Sequence, residues 1–167
     1  MKPDGSNRLA LTADASSTRQ YLQPTWAPGA DKIAWTAMDA TSDGTRAALL
    51  TSTFDGAQRT EVTLPFAPFY ISWSPGGEQL AYLSSWNSGN QPSMALRLVD
   101  LASGNETVRT LAEGQPFYFS WSPDGQQLLT HIGNERIELQ LLDGTQTAVQ
   151  GSTANFPAPQ WASPATI

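Results

Sequence analysis

Six residues of this chain have the type and setting for recognition or chemistry: Trp86, Asn87, Asn90, His131, Asp39 and Asp43. Trp86 stands with Asn87 and Asn90 inside Ser84 to Met94, SSWNSGNQPSM, the longest polar connector in the chain. An indole beside amides is an aromatic contact for a ligand or a protein partner. The plainer reading folds that indole back over its own sheet. Asp39 and Asp43 flank the turn MDATSDGT, and two carboxylates near a glycine raise the question of a calcium loop. The third acidic position and the closing Glu of an EF-type loop are missing, which favours a surface turn. His131 is the single histidine, and there are no cysteines. Thiol nucleophiles, disulfides and zinc–thiolate sites are therefore excluded. One His cannot build a zinc site without several carboxylates, and none cluster near it in sequence. It remains a structural residue able to hydrogen-bond a ligand. No G-x-S-x-G elbow, P-loop or dinucleotide glycine pattern occurs. Catalytic residues, a metal site and a cofactor are not expected; the chain reads as a non-enzyme.

The elements that would position these residues follow from a repeat. Phe69 to Gly77 reads FYISWSPGG, and Phe117 to Gly125 reads FYFSWSPDG. Weaker copies stand at Leu22 to Gly29 and Pro157 to Pro164. The tryptophans Trp26, Trp73, Trp121 and Trp161 are spaced by 47, 48 and 40 residues. A period in this range points to a solenoid or a propeller. Seven residues after the first three tryptophans come Ile33, Leu80 and Leu128, each opening a short apolar run bounded by turn residues, which reads as a strand. The approach to Trp alternates, with Phe117, Phe119 and Trp121 on one face and Tyr118 and Ser120 on the other. Pro75, Pro123, Asp124 and Gly125 supply the fixed φ and the left-handed position of a tight turn, so the first two strands form a hairpin. Leu96 to Asp100 parallels Leu139 to Asp143, and each leads through a Gly-containing turn into a fourth strand. Four antiparallel strands per period predict β-propeller blades.

The pattern W-S-P-D-G, an apolar pair, a loop, L-x-L-x-D and a Gly turn resembles the TolB-type, WD-like β-propeller repeat over nearly the whole chain. The match is tightest in the second and third units. In the first, Ala27-Pro28-Gly29-Ala30-Asp31 replaces the Ser-Pro-Asp-Gly turn. The resemblance implies an all-β fold and binding or scaffolding rather than one activity. It also implies an extracytoplasmic (periplasmic or secreted) home, with any signal lying outside this chain. Propellers of this group also occur as lids of prolyl-peptidase-like enzymes. The leading expectation is a non-enzymatic module for a protein partner or another domain of its parent. The alternatives are a substrate-gating fragment of such an enzyme, or a small-ligand or glycan receptor using Trp86.

Composition agrees with an all-β reading. Of 167 residues 14% are charged, against about a quarter in typical domains. The net charge of −6 and the lack of a basic stripe disfavour nucleic acid. No stretch of 18 apolar residues exists to span a membrane. Asn105-Glu106-Thr107 fits a glycosylation acceptor but reads as a turn. One propeller region covers 1–167, with units near 22–64, 69–112 and 117–150 and partial units at 1–12 and 156–167. Residues 8 to 12 read as the fourth strand of a preceding blade. Three complete blades and two partial ones predict either part of a larger propeller or a half completed by a second copy. The expected loop face gathers 13–21, 38–45, 65–68, 84–94, 112–116, 131–136 and 151–157, where binding residues tend to sit.

Overall fold

The computed structural model describes residues 4–88, 91–101, 106–133, 136–151, 158, 160 and 161. All regular structure among them is β. Twelve strands form three four-stranded antiparallel sheets, each a simple meander in chain order. The chain divides into two compact units, 1–67 and 68–167.

The first unit holds β1 (Arg19–Trp26), β2 (Lys32–Thr41), β3 (Gly44–Thr53) and β4 (Arg59–Leu64). Cross-strand partners Trp26↔Ile33 and Trp35↔Leu50 set the register. Strand β1 is irregular between Leu22 and Thr25, where Gln23 takes a φ of +56°. Pro24, which has no N–H to donate, sits inside this bulge, the usual accommodation for Pro at a sheet edge. Trp35, Ala37, Ala48 and Leu50 form a small core, and Leu11, Tyr21 and Ile33 pack against it. Residues 4–12 form no strand. Leu11 nevertheless lies over the sheet: the Arg59 guanidinium donates to its carbonyl at 3.4 Å.

The second unit holds two sheets. One is β5 (Pro68–Trp73), β6 (Gln79–Ser88), β7 (Gln91–Asp100) and β8 (Thr107–Glu113). The other is β9 (Pro116–Trp121), β10 (Gln127–Ile132), β11 (Arg136–Leu141) and β12 (Gln146–Gly151). They stack through one apolar layer: Ala81, Leu83, Leu96, Leu98, Leu111 and Ala112 meet Phe119, Trp121, Leu128 and Ile132. Tyr70 meets the Phe119 ring edge-on at 5.2 Å. Two hydrogen bonds tie the layer at its inner and outer edges. The Trp121 indole N–H donates to the Ser72 carbonyl at 3.3 Å, and the Gln146 amide donates to the Leu111 carbonyl at 3.2 Å. The Trp161 indole donates to the Ser120 carbonyl, also at 3.3 Å. The tryptophan period thus has a physical meaning here. Each of these indoles binds the carbonyl just before the Trp of the preceding sheet.

The turns after the tryptophans share one geometry. Gly77 N–H donates to Ser74 O and Gly125 N–H to Ser122 O, each at 2.9 Å, with both glycines at φ +71°. Asp124 accepts from the Ser122 hydroxyl at 2.6 Å and from Gln126 N–H at 3.0 Å. In β1–β2 the same position falls to Ala30, at φ +55°, with its N–H bonded to Ala27 O. The replaced turn sequence therefore keeps the geometry and loses the glycine that suits it.

Candidate functional site

The sites expected from sequence fall in three separate places. The connector containing Trp86 is not a loop. Strand β6 runs on to Ser88 and β7 starts at Gln91, with Trp86 paired to Ser93 and Asn87 to Pro92. Trp86 and Asn87 therefore belong to a projecting two-stranded ribbon. Asn90 lies outside the described residues. The expected 38–45 loop is likewise a ribbon, with Thr41 paired to Gly44 and only Ser42 and Asp43 at its tip.

This ribbon separates Asp39 from Asp43. Asp43 is exposed at the tip, where it accepts from the Ser42 hydroxyl. Asp39 faces Arg19 across the β1–β2 ladder. One Arg19 amine donates to both Asp39 oxygens, at 2.9 and 2.7 Å. Arg19 Nε donates to the Tyr21 hydroxyl at 2.7 Å, and Tyr21 donates to Asp14 at 2.6 Å. Glu61 approaches the other Arg19 amine at 3.5 Å. The bonds to Tyr21 and Asp39 hold the guanidinium protonated beyond its ordinary range. The Tyr21 hydroxyl lowers the Asp14 carboxyl below the usual carboxylate range. The Asp39 carboxylate is thus committed to a cation of its own chain. Among the described residues no group of three or more His, Cys, Asp or Glu is placed to hold a metal.

His131 is wholly buried in β10, between Tyr118 and Ile137 in register. Its ring lies 4.8 Å from the Phe117 ring. Burial encloses the ring, because both faces of these strands are covered.

Covered polar groups on the faces opposite the leucines escaped the sequence reading. Arg97 is buried between Leu96 and Leu98 and donates to the Ser84 hydroxyl. Burial lowers its affinity for the proton and raises the Tyr82 phenol above its ordinary value. Glu138, also buried, is held by Arg136 and by the Gln140 amide at 3.0 Å. The signal was present as charged or amide residues inside L-R-L and I-E-L-Q-L runs.

An apolar recess in the first unit has a volume of about 200 Å³. Leu11, Tyr21, Leu22, Pro24, Ile33 and Trp35 form most of its wall. Tyr21 joins it to the Arg19 network. Trp26 beside it is 58% exposed, whereas Trp73 and Trp121 are 6% and 9% exposed. The arrangement offers apolar contact in the recess and charge pairing beside it.

No protein-family model and no curated protein matches the sequence. Solved structures do resemble it in fold. The β-propeller domain of the Trilobed protease from Pyrococcus furiosus aligns with a TM-score of 0.58 at 13% identity, over 81% of this chain and 42% of that one. Oligogalacturonate lyase from Vibrio parahaemolyticus aligns at 0.64 and 11%, over 84% and 40%. A prolyl endopeptidase aligns at 0.56 and 16%, over 83% and 23%. The chain therefore has the fold of part of a β-propeller, and it spans about two fifths or less of those chains.

Proposed function

We propose that this chain is a non-enzymatic, TolB-like propeller module that binds a protein partner through the ribbon end of its sheets, in an extracytoplasmic setting. The observation that carries this reading is strand length. Both strands of the β2–β3 and β6–β7 ribbons have ten residues, whereas β10 and β11 have six. The opposite ends are held to one tight turn geometry. Extra length is thus spent at one end only, and in the β2–β3 ribbon it leaves residues 40–46 exposed on a rigid frame. The ribbon tips carry Asp43 and, in sequence, Asn90. The location rests on the repeat resemblance alone.

Shortening the ribbons tests this. In one variant an Asn-Gly turn replaces 40–45, and in a second it replaces 86–93; such turns suit two-residue hairpins. A partner captured from the native host by cross-linking should be lost from one or both variants while far-ultraviolet circular dichroism is unchanged. Undiminished capture by the doubly shortened chain would refute the reading.

A further inference from the structure

We propose that the β1–β4 sheet carries a self-association surface on its flat, centred on Trp26, and that its occupant is the Trp161 region of a second copy of this chain. The surface is separate from the ribbon end.

The stacked sheets of the second unit show what such a face receives. Its parts are an indole N–H to the carbonyl before the neighbouring Trp, a side chain at the start of the outermost strand to a leucine carbonyl, and an apolar layer between. The first unit repeats the receiving half. Trp26 and Ile33 hold the positions of Trp121 and Leu128, seven residues apart in each case. Arg59 opens β4 as Gln146 opens β12. The outer part is already filled by the chain itself, because Arg59 donates to the Leu11 carbonyl at 3.4 Å as Gln146 does to Leu111. The inner part is open: Trp26 is 58% and Leu22 45% exposed, and the recess of about 200 Å³ is lined by Leu11, Leu22 and Ile33, the cross-strand partner of Trp26.

The chain also carries the donating half. Trp161 is bonded to Ser120 O as Trp121 is to Ser72 O. Gln160 therefore stands where Ser72 and Ser120 stand, one residue before a docked Trp, and it is exposed. Ala158 stands where Tyr70 stands, three residues before, and is exposed too. In the second unit Tyr70 packs on Phe119, next to Thr130. In the first unit Pro24 and Trp35 hold the positions of Phe119 and Thr130, and both line the recess. The contact is Trp26 N–H to the Gln160 carbonyl of the second copy, with Ala158 of that copy at the recess. Each copy offers both halves, so the contact is head-to-tail and joins copy to copy.

Light scattering on the chain tests this. The native chain should show at least twice the 18.0 kDa of one copy. Trp26→Glu and Ala158→Arg should each restore single-copy mass with the β circular dichroism retained. Mixing the two variants should bring the paired species back, since each still supplies one intact half. If Trp26→Glu fails to fold, Ala158→Arg, at an exposed position, decides by itself. A native chain of single-copy mass at the highest soluble concentration overturns the proposal, as does a mixture that stays unpaired.

Discussion

Replacing Trp121 by Phe isolates the bond that links stacked sheets. The change removes the N–H that donates to Ser72 O at 3.3 Å and shrinks a ring that is only 9% exposed. Losing one net hydrogen bond costs about 1 kcal/mol. The smaller buried ring gives up roughly a further 1 kcal/mol of apolar contact. The sum, about 2 kcal/mol, corresponds to a fall in Tm of about 4–8 °C for a chain of this size. Trp26→Phe makes the same chemical change on a ring that is 58% exposed. At low protein concentration it should cost under about 0.5 kcal/mol, the ordinary range for surface changes. Differential scanning fluorimetry with urea titration reads both. Equal losses at the two positions in dilute solution would refute the reasoning, because the repeat would then hold its sheets by something other than this bond. A deficit for Trp26→Phe that grows with protein concentration would instead report pairing between copies.

Four further outcomes rest on the turns and the Arg19 network. Ala30→Gly relieves a left-handed alanine at φ +55° and should raise stability by about 0.5–1 kcal/mol after the added chain entropy. Gly125→Ala should lower it by about 1–2 kcal/mol, since φ is +71° and the new Cβ meets Pro75 at 3.4 Å; both are read by urea midpoint. Asp39→Asn weakens the bidentate pair with Arg19, whose side chains are 21% and 27% exposed, and should cost about 0.5–1 kcal/mol in low salt. That difference should shrink in 1 M NaCl, about the ionic strength at which such pairs are screened. Asp124 is held below its ordinary value by the Ser122 hydroxyl and Gln126 N–H. Its contribution is complete above the normal carboxylate range and is lost as the pH falls below about 4, through the depressed folded value. Asp124→Asn keeps an acceptor and should flatten that part of a Tm-versus-pH curve.

The strands and their grouping were legible because Trp, Pro and Gly act locally. Trp73 and Trp121 mark equivalent inner strands, and Ser74 to Gly77 and Ser122 to Gly125 close equivalent turns. The ribbons were not legible. Residues 84–88 are largely polar, so they lack the apolar alternation that announces a strand, and Met38 to Thr41 is a short run leading straight into Ser-Asp-Gly turn residues, yet both backbones stay paired. A two-residue Ser-Asp or Gly-Asn connection was the available clue. The Arg19–Asp39 pair needed the β1–β2 register, which a bulge at Gln23 shifts. His131, buried at a strand end, makes the complementary point. A polar residue at the end of a strand suggests exposure only when one face of the sheet is free.

Burial on both faces also bears on where recognition can occur. In the second unit the leucines of β7 fill one layer while Arg97 is buried on the other side of the same strand. Glu138 and Gln140 are buried on β11 beside Ile137. Stacking consumes the flats of such sheets, so a binding surface must come from their ends. One end is constrained by the Ser-Pro-Asp-Gly geometry, in which a Pro, an Asp acceptor and a left-handed Gly leave little room for change. The other end tolerates added pairs of residues, because lengthening a two-stranded ribbon alters nothing in the stacked layer. Differences in length between β2–β3, β6–β7 and β10–β11 are therefore free to follow a partner. The flat of the β1–β4 sheet is the exception that the same rule identifies. There Trp26 stands exposed at a position that elsewhere is closed by a neighbouring strand. A face built for stacking and left open is best satisfied by a strand of the same repeat.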